Sequence, residues 1–394
     1  MRTQLSKSCL LLAIALCALL ALPAGAQMGE LAHHTESYTW SSGVFDGPQD
    51  PFAKGLGAEL AANELVSVPG STWVQLEFHS VRLGAGSYLQ ITSLLDGATQ
   101  RLDAETVRQW GYRSAYFNGD MVEVELYVAP FDREIFVNIE KVVVGDWQSQ
   151  DKSICGSDDR VSANDARVGR IVPIGCTGWL VDNGKMITAG HCLNSTRSQI
   201  LEFNVPDSNP DGSLNHPGPE DQYPIDQSSF TFADGGVGND WGTFAAFANS
   251  TTGLTAFEAQ GSAFAIKQDL GPANIRITGF GVDSGVDNQS HQTHVGPNVG
   301  SSGTTMRYTA DTTGGNSGSP VIDEATNTAV GVHTHGGCSS TSGNNHGTSF
   351  FNNSFWQAVT GQAPSCAPKG DACTVDADCC SNKCKGPSGR KSCK

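Results

Sequence analysis

The sequence predicts an all-β protein with two β-rich domains and a small cysteine-rich tail. Apolar and polar residues alternate with a period of two in residues 27–150, as is typical of half-buried strands. Residues 161–360 also favour strands, because glycine, asparagine, serine and threonine separate short apolar runs and helical periodicity is almost absent. Six of the twelve cysteines fall in residues 363–394. The 394 residues suffice for all three parts.

Residues 1–26 have the pattern of a secretory signal peptide. Arg2 and Lys7 supply the charged start, residues 10–22 the apolar run, and residues 24–26 (Ala-Gly-Ala) the small residues of a cleavage site. A membrane anchor is disfavoured because the apolar run is short for a bilayer span. We therefore expect a secreted protein, extracellular or periplasmic.

The net charge and the cysteine content further narrow the expected class of protein. The net charge of −16 becomes about −18 without Arg2 and Lys7, which makes nucleic acid an improbable partner. Without residues 1–26 the chain keeps ten cysteines, an even number that favours disulfides in an exported protein. We expect a monomer with no cofactor and no metal site.

Residues 27–150 are expected to form an antiparallel β-sandwich. Alternating runs at residues 74–79, 122–126 and 135–139 are separated by glycine-containing breaks. The segment has no cysteine and no cluster of catalytic residue types. It is either a pro-region or an accessory binding domain, and a polar stretch at residues 146–160 suggests a linker with a processing point.

Residues 151–362 form the second predicted domain, which a short helix over residues 351–359 closes. Its central feature is the run 311–320, Asp-Thr-Thr-Gly-Gly-Asn-Ser-Gly-Ser-Pro. Small residues around Ser317 leave backbone N–H groups accessible, which a nucleophile needs if an oxyanion is to form beside it. A plain surface turn has a similar composition. The interpretation therefore depends on a base and a carboxylate elsewhere.

Two further segments supply those groups. His191 lies in Thr-Ala-Gly-His-Cys after a strand-like pair of residues, and Cys192 can bond back to Cys176 to staple the flanking strands. Asp240 begins an apolar strand, where a buried carboxylate can hold the tautomer of an imidazole. Asp226 and Asp234 are weaker candidates because they lie in loops without a strand behind them.

With His191, Asp240 and Ser317 in that chain order, residues 155–360 resemble the chymotrypsin-type serine endopeptidases of the trypsin family. The resemblance implies a double β-barrel with the active site between the barrels, and protein or peptide substrates. It implies that His191 takes the proton of Ser317, that Asp240 orients His191, and that the N–H groups of Gly315 and Ser317 bind the oxyanion. An α/β-hydrolase would place serine before histidine. A protease-like binding protein without activity is the rival hypothesis, which the complete triad disfavours.

Two features predict substrate preference in opposite directions. Gly331-Val332-His333, together with residues 311–315, resembles the bacterial glutamyl endopeptidases, which implies that His333 and Thr312 line an S1 pocket for an acidic side chain. Asp311, however, lies six residues before Ser317. At that position trypsin-like enzymes carry the aspartate at the floor of the S1 pocket, which binds Lys or Arg. We favour an acidic P1 residue, with His335 as an alternative to His333.

Asn316 stands where animal digestive proteases of this type carry an aspartate that receives the new α-amino group on activation. Asn316 cannot form that ion pair, so zymogen control must work differently. We expect steric inhibition or folding assistance by residues 27–150.

The remaining cysteines divide into two sets. Once Cys176 and Cys192 are paired, Cys155 and Cys338 are left in the second domain and are predicted to bond. The six tail cysteines allow fifteen connectivities. Their adjacent middle pair resembles an inhibitor cystine knot, which implies Cys366–Cys380, Cys373–Cys384 and Cys379–Cys393. The tail also carries six Lys or Arg against three Asp, so it either binds an anionic surface or polysaccharide or simply stabilises the C-terminus.

Overall fold

A computed structural model describes residues 25–26, 28–146, 152–362, 383–387 and 391–394. Nearly all of the predicted signal peptide, the centre of the predicted linker and most of the cysteine-rich tail lie outside these residues. No helix in the described part of the chain combines the length and the apolar character needed to cross a membrane.

The N-terminal domain is the predicted antiparallel sandwich of two four-stranded sheets. One sheet has the order β1-β8-β3-β6 and the other β2-β7-β4-β5, and a short helix α1 follows β5. The elements are β1 His33–Ser41, β2 Glu59–Ser67, β3 Trp73–Arg82, β4 Tyr88–Ser93, β5 Thr99–Leu102, α1 Thr106–Gln109, β6 Phe117–Asn118, β7 Met121–Val128 and β8 Phe136–Gly145.

The period of two in the sequence corresponds to the alternation of buried and outward-facing residues in this sandwich. Val122, Val124 and Leu126 on β7 are all fully buried, while the residues between them face outward. Strand β3 departs from the pattern because Gln75 is buried as well. Its amide donates to the carbonyl of Ser114 at 2.9 Å, which compensates for the loss of water.

The second domain contains one closed barrel of six strands, β11-β12-β13-β16-β15-β14. A segment with β9 (Lys152–Ser153) and β10 (Val161–Ser162) leads into it. The barrel elements are β11 Val168–Pro173, β12 Cys176–Leu180, β13 Met186–Thr188, α2 Gly190–Leu193, β14 Ser198–Glu202, β15 Gln222–Asp234 and β16 Asp240–Ala246; α3 (Ala256–Gln260) follows.

The other half of this domain is a seven-stranded sheet with the order β10-β18-β17-β21-β22-β23-β19. It is a half-barrel, in which the Val299 N–H donates to Arg307 O (2.9 Å) and brings the chain beyond β18 back to β19. Helix α4 occupies the position predicted for it. The elements are β17 Asn274–Gly279, β18 Gln292–Pro297, β19 Thr305–Tyr308, β20 Thr312–Thr313, β21 Pro320–Asp323, β22 Thr328–His335, β23 Asn345–Ser349 and α4 Asn353–Thr360; in the tail, β24 (Cys384–Lys385) pairs with β25 (Ser392–Cys393).

The sandwich packs directly on the closed barrel. Gln222 makes two hydrogen bonds with the backbone of Tyr116, at 2.9 and 2.8 Å. Asn118 and His216 are joined in the same reciprocal way, and the Tyr116 ring stacks on the His216 ring at 4.4 Å between centroids. Because these polar groups are buried and paired, the interface specifies one orientation of the two domains.

Candidate active site

His191 and Asp240 are brought together by neighbouring strands of the closed barrel. Strand β13, which precedes His191, pairs with β16, which begins at Asp240. Helix α2 starts at Gly190, where no side chain fits: a Cβ there would lie 1.9 Å from the carbonyl oxygen of Ala233. Only glycine therefore allows the chain to turn and direct His191 toward Asp240.

The Asp240 carboxylate holds His191 at two points. Its Oδ2 lies 2.6 Å from His191 Nδ1, and its Oδ1 accepts the backbone N–H of His191 at 3.0 Å. Asp240 is fully buried, so the carboxylate keeps these partners without competition from water. This arrangement places the ring proton on Nδ1 and leaves Nε2 to act as a base.

Ser317 lies on the facing half of the domain, in the turn between β20 and β21. Its Oγ is 2.8 Å from His191 Nε2, which completes a hydrogen-bonded chain of carboxylate, imidazole and hydroxyl. Residues far apart in sequence thus meet where the barrel faces the half-barrel. The arrangement can activate a hydroxyl as a nucleophile.

The glycines around Ser317 are required by the backbone path. Gly315 and Gly318 have φ values of 100° and 92°, which favour glycine. A Cβ on Gly318 would lie 2.1 Å from Thr177 O, and one on Gly315 would lie 2.1 Å from Phe280 O. The loop therefore folds closely against strand β12 and the end of β17.

The same loop fixes the direction of the Gly315 backbone N–H. Gly314 O accepts a hydrogen bond from the N–H of Val282 at 2.6 Å. Since the 314–315 peptide bond is trans, the N–H of Gly315 points the opposite way. The Asn316 side chain accepts the N–H of Thr313 at 2.9 Å, so Asn316 stabilises the turn itself.

Two disulfides link the segments around the site. Cys176 bonds to Cys192, joining β12 to the helix that carries His191. Cys155 bonds to Cys338, 183 positions away, joining the segment before the barrel to the loop after β22. The three predicted tail pairings each include a residue outside the described part of the chain.

Asp311 has a different environment from the pocket floor that the trypsin-like alternative requires. Its carboxylate is fully buried and accepts the backbone N–H groups of Cys155 (2.7 Å) and Asp159 (3.0 Å). His294 Nδ1 lies 3.1 Å from the same carboxylate. Asp311 therefore anchors the segment that precedes the barrel.

Arg160 is a site residue that the sequence does not reveal, because it falls in the predicted linker. Its side chain is only 2% exposed, and its guanidinium donates to Thr313 Oγ1 (3.0 Å) and Val282 O (3.3 Å). It also pairs with Asp283 at 2.7 Å. Residues 152–160, which we name the anchor segment, thus hold the Ser317 loop from behind, and β9 pairs with β20 in the same region.

The predicted S1 residues Thr312 and His333 are both fully buried. Tyr308 Oη lies 2.6 Å from His333 Nδ1. Burial, together with the positive charge that His335 would carry, holds the pKa of His333 well below its usual 6.5. A neutral imidazole results, which can donate one hydrogen bond and accept another.

His335 lies beside His191 and Asp240. Its ring centroid is 6.0 Å from that of His191, and its Nδ1 is 3.8 Å from Asp240 Oδ2. Burial lowers its pKa, although the Asp240 carboxylate opposes this effect. His335 therefore forms part of the wall beside His191.

Comparison with known proteins adds one family match. Residues 176–332, which contain His191, Asp240 and Ser317, match the family described as "Trypsin-like peptidase domain". No curated protein is a significant match.

Several solved structures are similar. One Glu endopeptidase, determined in complex with MPD, is 21% identical, with 52% of this chain and 97% of that chain covered and a TM-score of 0.39. The thermostable serine protease AL20 from an extremophilic microorganism is 16% identical, with coverages of 50% and 98% and a TM-score of 0.39. Protease Anisep from Arthrobacter nicotinovorans is 16% identical, with coverages of 48% and 93% and a TM-score of 0.38.

Proposed function

We propose that this chain, a serine endopeptidase by its match to the trypsin-like peptidase domain, cuts peptide bonds through an acyl-enzyme formed on Ser317. The observation that carries the proposal is the continuous chain from Asp240 through His191 to Ser317, with distances of 2.6 and 2.8 Å. Apart from the peptide substrate, the proposed reaction requires only water from outside the chain.

The residues of the site have distinct roles in this mechanism. Ser317 Oγ attacks the scissile carbonyl while His191 Nε2 accepts its proton, and Asp240 stabilises the imidazolium that forms. The N–H groups of Gly315 and Ser317 bind the oxyanion of the tetrahedral intermediate. His191 then protonates the leaving amine, and a water molecule activated by the same ring releases the acid product.

Labelling with an organophosphonate tests the nucleophile. We expect a single covalent adduct on Ser317, because the hydroxyl attacks phosphorus with the help of His191. Mass spectrometry of peptides from the treated protein locates the adduct, and the variant Ser317→Ala should carry none. An adduct on another serine in place of Ser317, or no adduct on Ser317 in any folded variant that retains it, would contradict the assignment and favour a binding protein.

An acidic P1 residue remains our proposal for specificity. Asp311, the group that would select Lys or Arg, already binds two backbone N–H groups, which weighs against a basic preference. His333 and His335 are neutral donors near the site, and a carboxylate is the complementary acceptor. Thr312 supplies a further hydroxyl on β20, just before the Ser317 loop.

A mixed peptide library measures this preference directly. We expect cleavage after Glu or Asp to exceed cleavage after Arg or Lys in kcat/KM. The variants His333→Gln and Asp311→Asn separate the two alternatives, since only the first should reduce the acidic preference. A tenfold or greater preference for Arg in the wild type would show that His333 does not select the substrate.

Export and surface binding complete the proposal. The N-terminal pattern of residues 1–26 and the two disulfides support a secreted enzyme. The basic tail on an acidic body supports attraction to an anionic polysaccharide or surface. Retention of the full chain on such a matrix should fall with salt, and it should fall further when Lys383, Lys385 and Lys391 are replaced by Gln.

A further inference from the structure

An extended segment near the N-terminus lies in the cleft between the two halves of the peptidase domain. The Gly29 N–H donates to Gly175 O at 2.7 Å, and the Leu31 N–H donates to Pro173 O at 2.9 Å. The two bonds are two residues apart on each segment, and the two segments run in opposite directions, as in an antiparallel ladder. We name residues 28–31 the cleft arm.

Side chains of the peptidase domain also hold the cleft arm. Gln289 is buried, and its amide donates to Gly29 O at 2.9 Å. Glu30 forms an ion pair with Arg197. Leu31 is 2% exposed and packs in the cluster that includes Val172.

The cleft arm passes directly beside the nucleophile loop. A Cβ built on Gly29 would lie 3.1 Å from both the carbonyl carbon and oxygen of Gly314, and one on Gly175 would lie 1.7 Å from Gly29 O. Two glycines thus allow two backbones to approach closely next to Gly315. Ser317 itself is fully buried, and its Oγ lies 2.8 Å from His191 Nε2.

The direction of the chain relates this arm to a substrate. Just before it, the Gly336 N–H donates to Gly25 O at 3.0 Å, and Ala26 bridges His335 in antiparallel fashion. Residues 25–26 therefore lie along the end of β22, and residues 28–31 lie along the turn between β11 and β12. Peptides bind protein edges in this way, through backbone hydrogen bonds.

We propose that the cleft arm is a tethered, substrate-like ligand that occupies the leaving-group side of the cleft and so inhibits the peptidase. This inference rests on the proposed function and identifies the contact by which residues 27–150 control it. It depends only on residues 28–31, which remain in the chain when a leader ending at Ala26 is removed. A ligand confined to the leaving-group side blocks substrate and offers no acyl side to attack.

The variant Gly29→Pro in the full chain tests this proposal. Proline removes the N–H that binds Gly175 O and crowds Gly314, so the arm should leave the cleft. We expect kcat/KM for short peptides to rise at least tenfold, mainly through a lower KM, because a competing ligand is lost. Gly57→Pro is the matched control, since Gly57 lies in the same domain with nothing near its Cβ position, and its kinetics should match wild type.

A peptide added in trans provides an independent measurement if Gly29→Pro perturbs folding. A synthetic peptide with the sequence of residues 28–36 should inhibit cleavage competitively, and the same peptide with proline at the position of Gly29 should inhibit at least tenfold less. Equal potency of the two peptides, or no inhibition by either, overturns the proposal.

Labelling of Ser317 separates the two levels of inference. If Ser317 in Gly29→Pro reacts with the organophosphonate but peptide cleavage is no faster than in wild type, the arm is not an inhibitor and the endopeptidase assignment stands. If Ser317 reacts in none of the folded variants, the proposed function itself is wrong.

Discussion

The closed barrel and the half-barrel of the second domain position their proposed catalytic groups by different means. In the closed barrel, paired strands β13 and β16 place His191 and Asp240, and Cys176–Cys192 reinforces a contact between near neighbours. In the half-barrel, the Ser317 loop depends on the anchor segment, through Asp311, Arg160 and Cys155–Cys338. The base is thus held by its own barrel, whereas the nucleophile is held by chain from outside its sheet.

Two buried aspartates allow the comparison to be tested with the same substitution. Asp240→Asn should reduce kcat by about 10⁴, or about 5.5 kcal/mol in activation free energy, because the His191 tautomer is lost. Asp311→Asn should reduce kcat only about tenfold, or about 1.4 kcal/mol, because it weakens the anchor of the loop without touching a reacting atom. Steady-state kinetics on one peptide measures both.

Equal losses in the two variants would show that the nucleophile loop depends on its anchor as strongly as the base depends on its carboxylate. Thermal unfolding of each variant checks that both remain folded at the assay temperature. If the losses of kcat are equal, the two halves differ only in how their stability is maintained.

The disulfides should differ in the same sense. Removing Cys155–Cys338, which closes a loop of 183 positions, should lower the free energy of unfolding by about 5 kcal/mol. Removing Cys176–Cys192, with a separation of 16, should lower it by about 3 kcal/mol on the same chain-entropy argument. Urea unfolding of the two double Cys→Ala variants measures the difference, and a larger loss for the short loop would contradict the argument.

Acid should destabilise the half-barrel at the contact between Ala163 and His291. There the chain that follows the anchor segment joins the sheet. His291 O accepts the Ala163 N–H at 2.8 Å, and burial lowers the pKa of His291 from 6.5 to about 4. As the pH falls below about 6.5 the unfolded chain takes up this proton first, so stability falls progressively until the pH reaches about 4. The total loss from this group is at most about 3 kcal/mol.

Urea unfolding at pH 7 and pH 4.5 tests this contribution. His291→Asn should show a smaller loss between the two pH values than wild type, whatever its absolute stability. His79→Asn, at an exposed position in the sandwich, serves as the control and should keep the wild-type dependence on pH. An unchanged pH dependence in His291→Asn would remove His291 from the account.

Much of the fold was predictable because it depends on local pattern. The period of two in residues 122–126 identifies a sandwich strand, and an Asn before residues 353–360 begins a helix by accepting the N–H of Phe355. The half-barrel was less predictable, because hydrogen bonds between residues 297–299 and 307–309 bring its chain back to β19 and no periodicity encodes them.

The functional groups divide in the same way. The sequence by itself determined the candidate nucleophile, base and orienting carboxylate, because short glycine-rich motifs and strand starts impose local geometry on Ser317, His191 and Asp240. Only the tertiary structure decided the environment of Asp311, since its partners lie about 150 positions earlier in the chain. The same is true of Arg160 and of the cleft arm. Their contacts join segments distant in sequence, and a backbone hydrogen bond such as that of Gly29 requires no particular side chain to mark it.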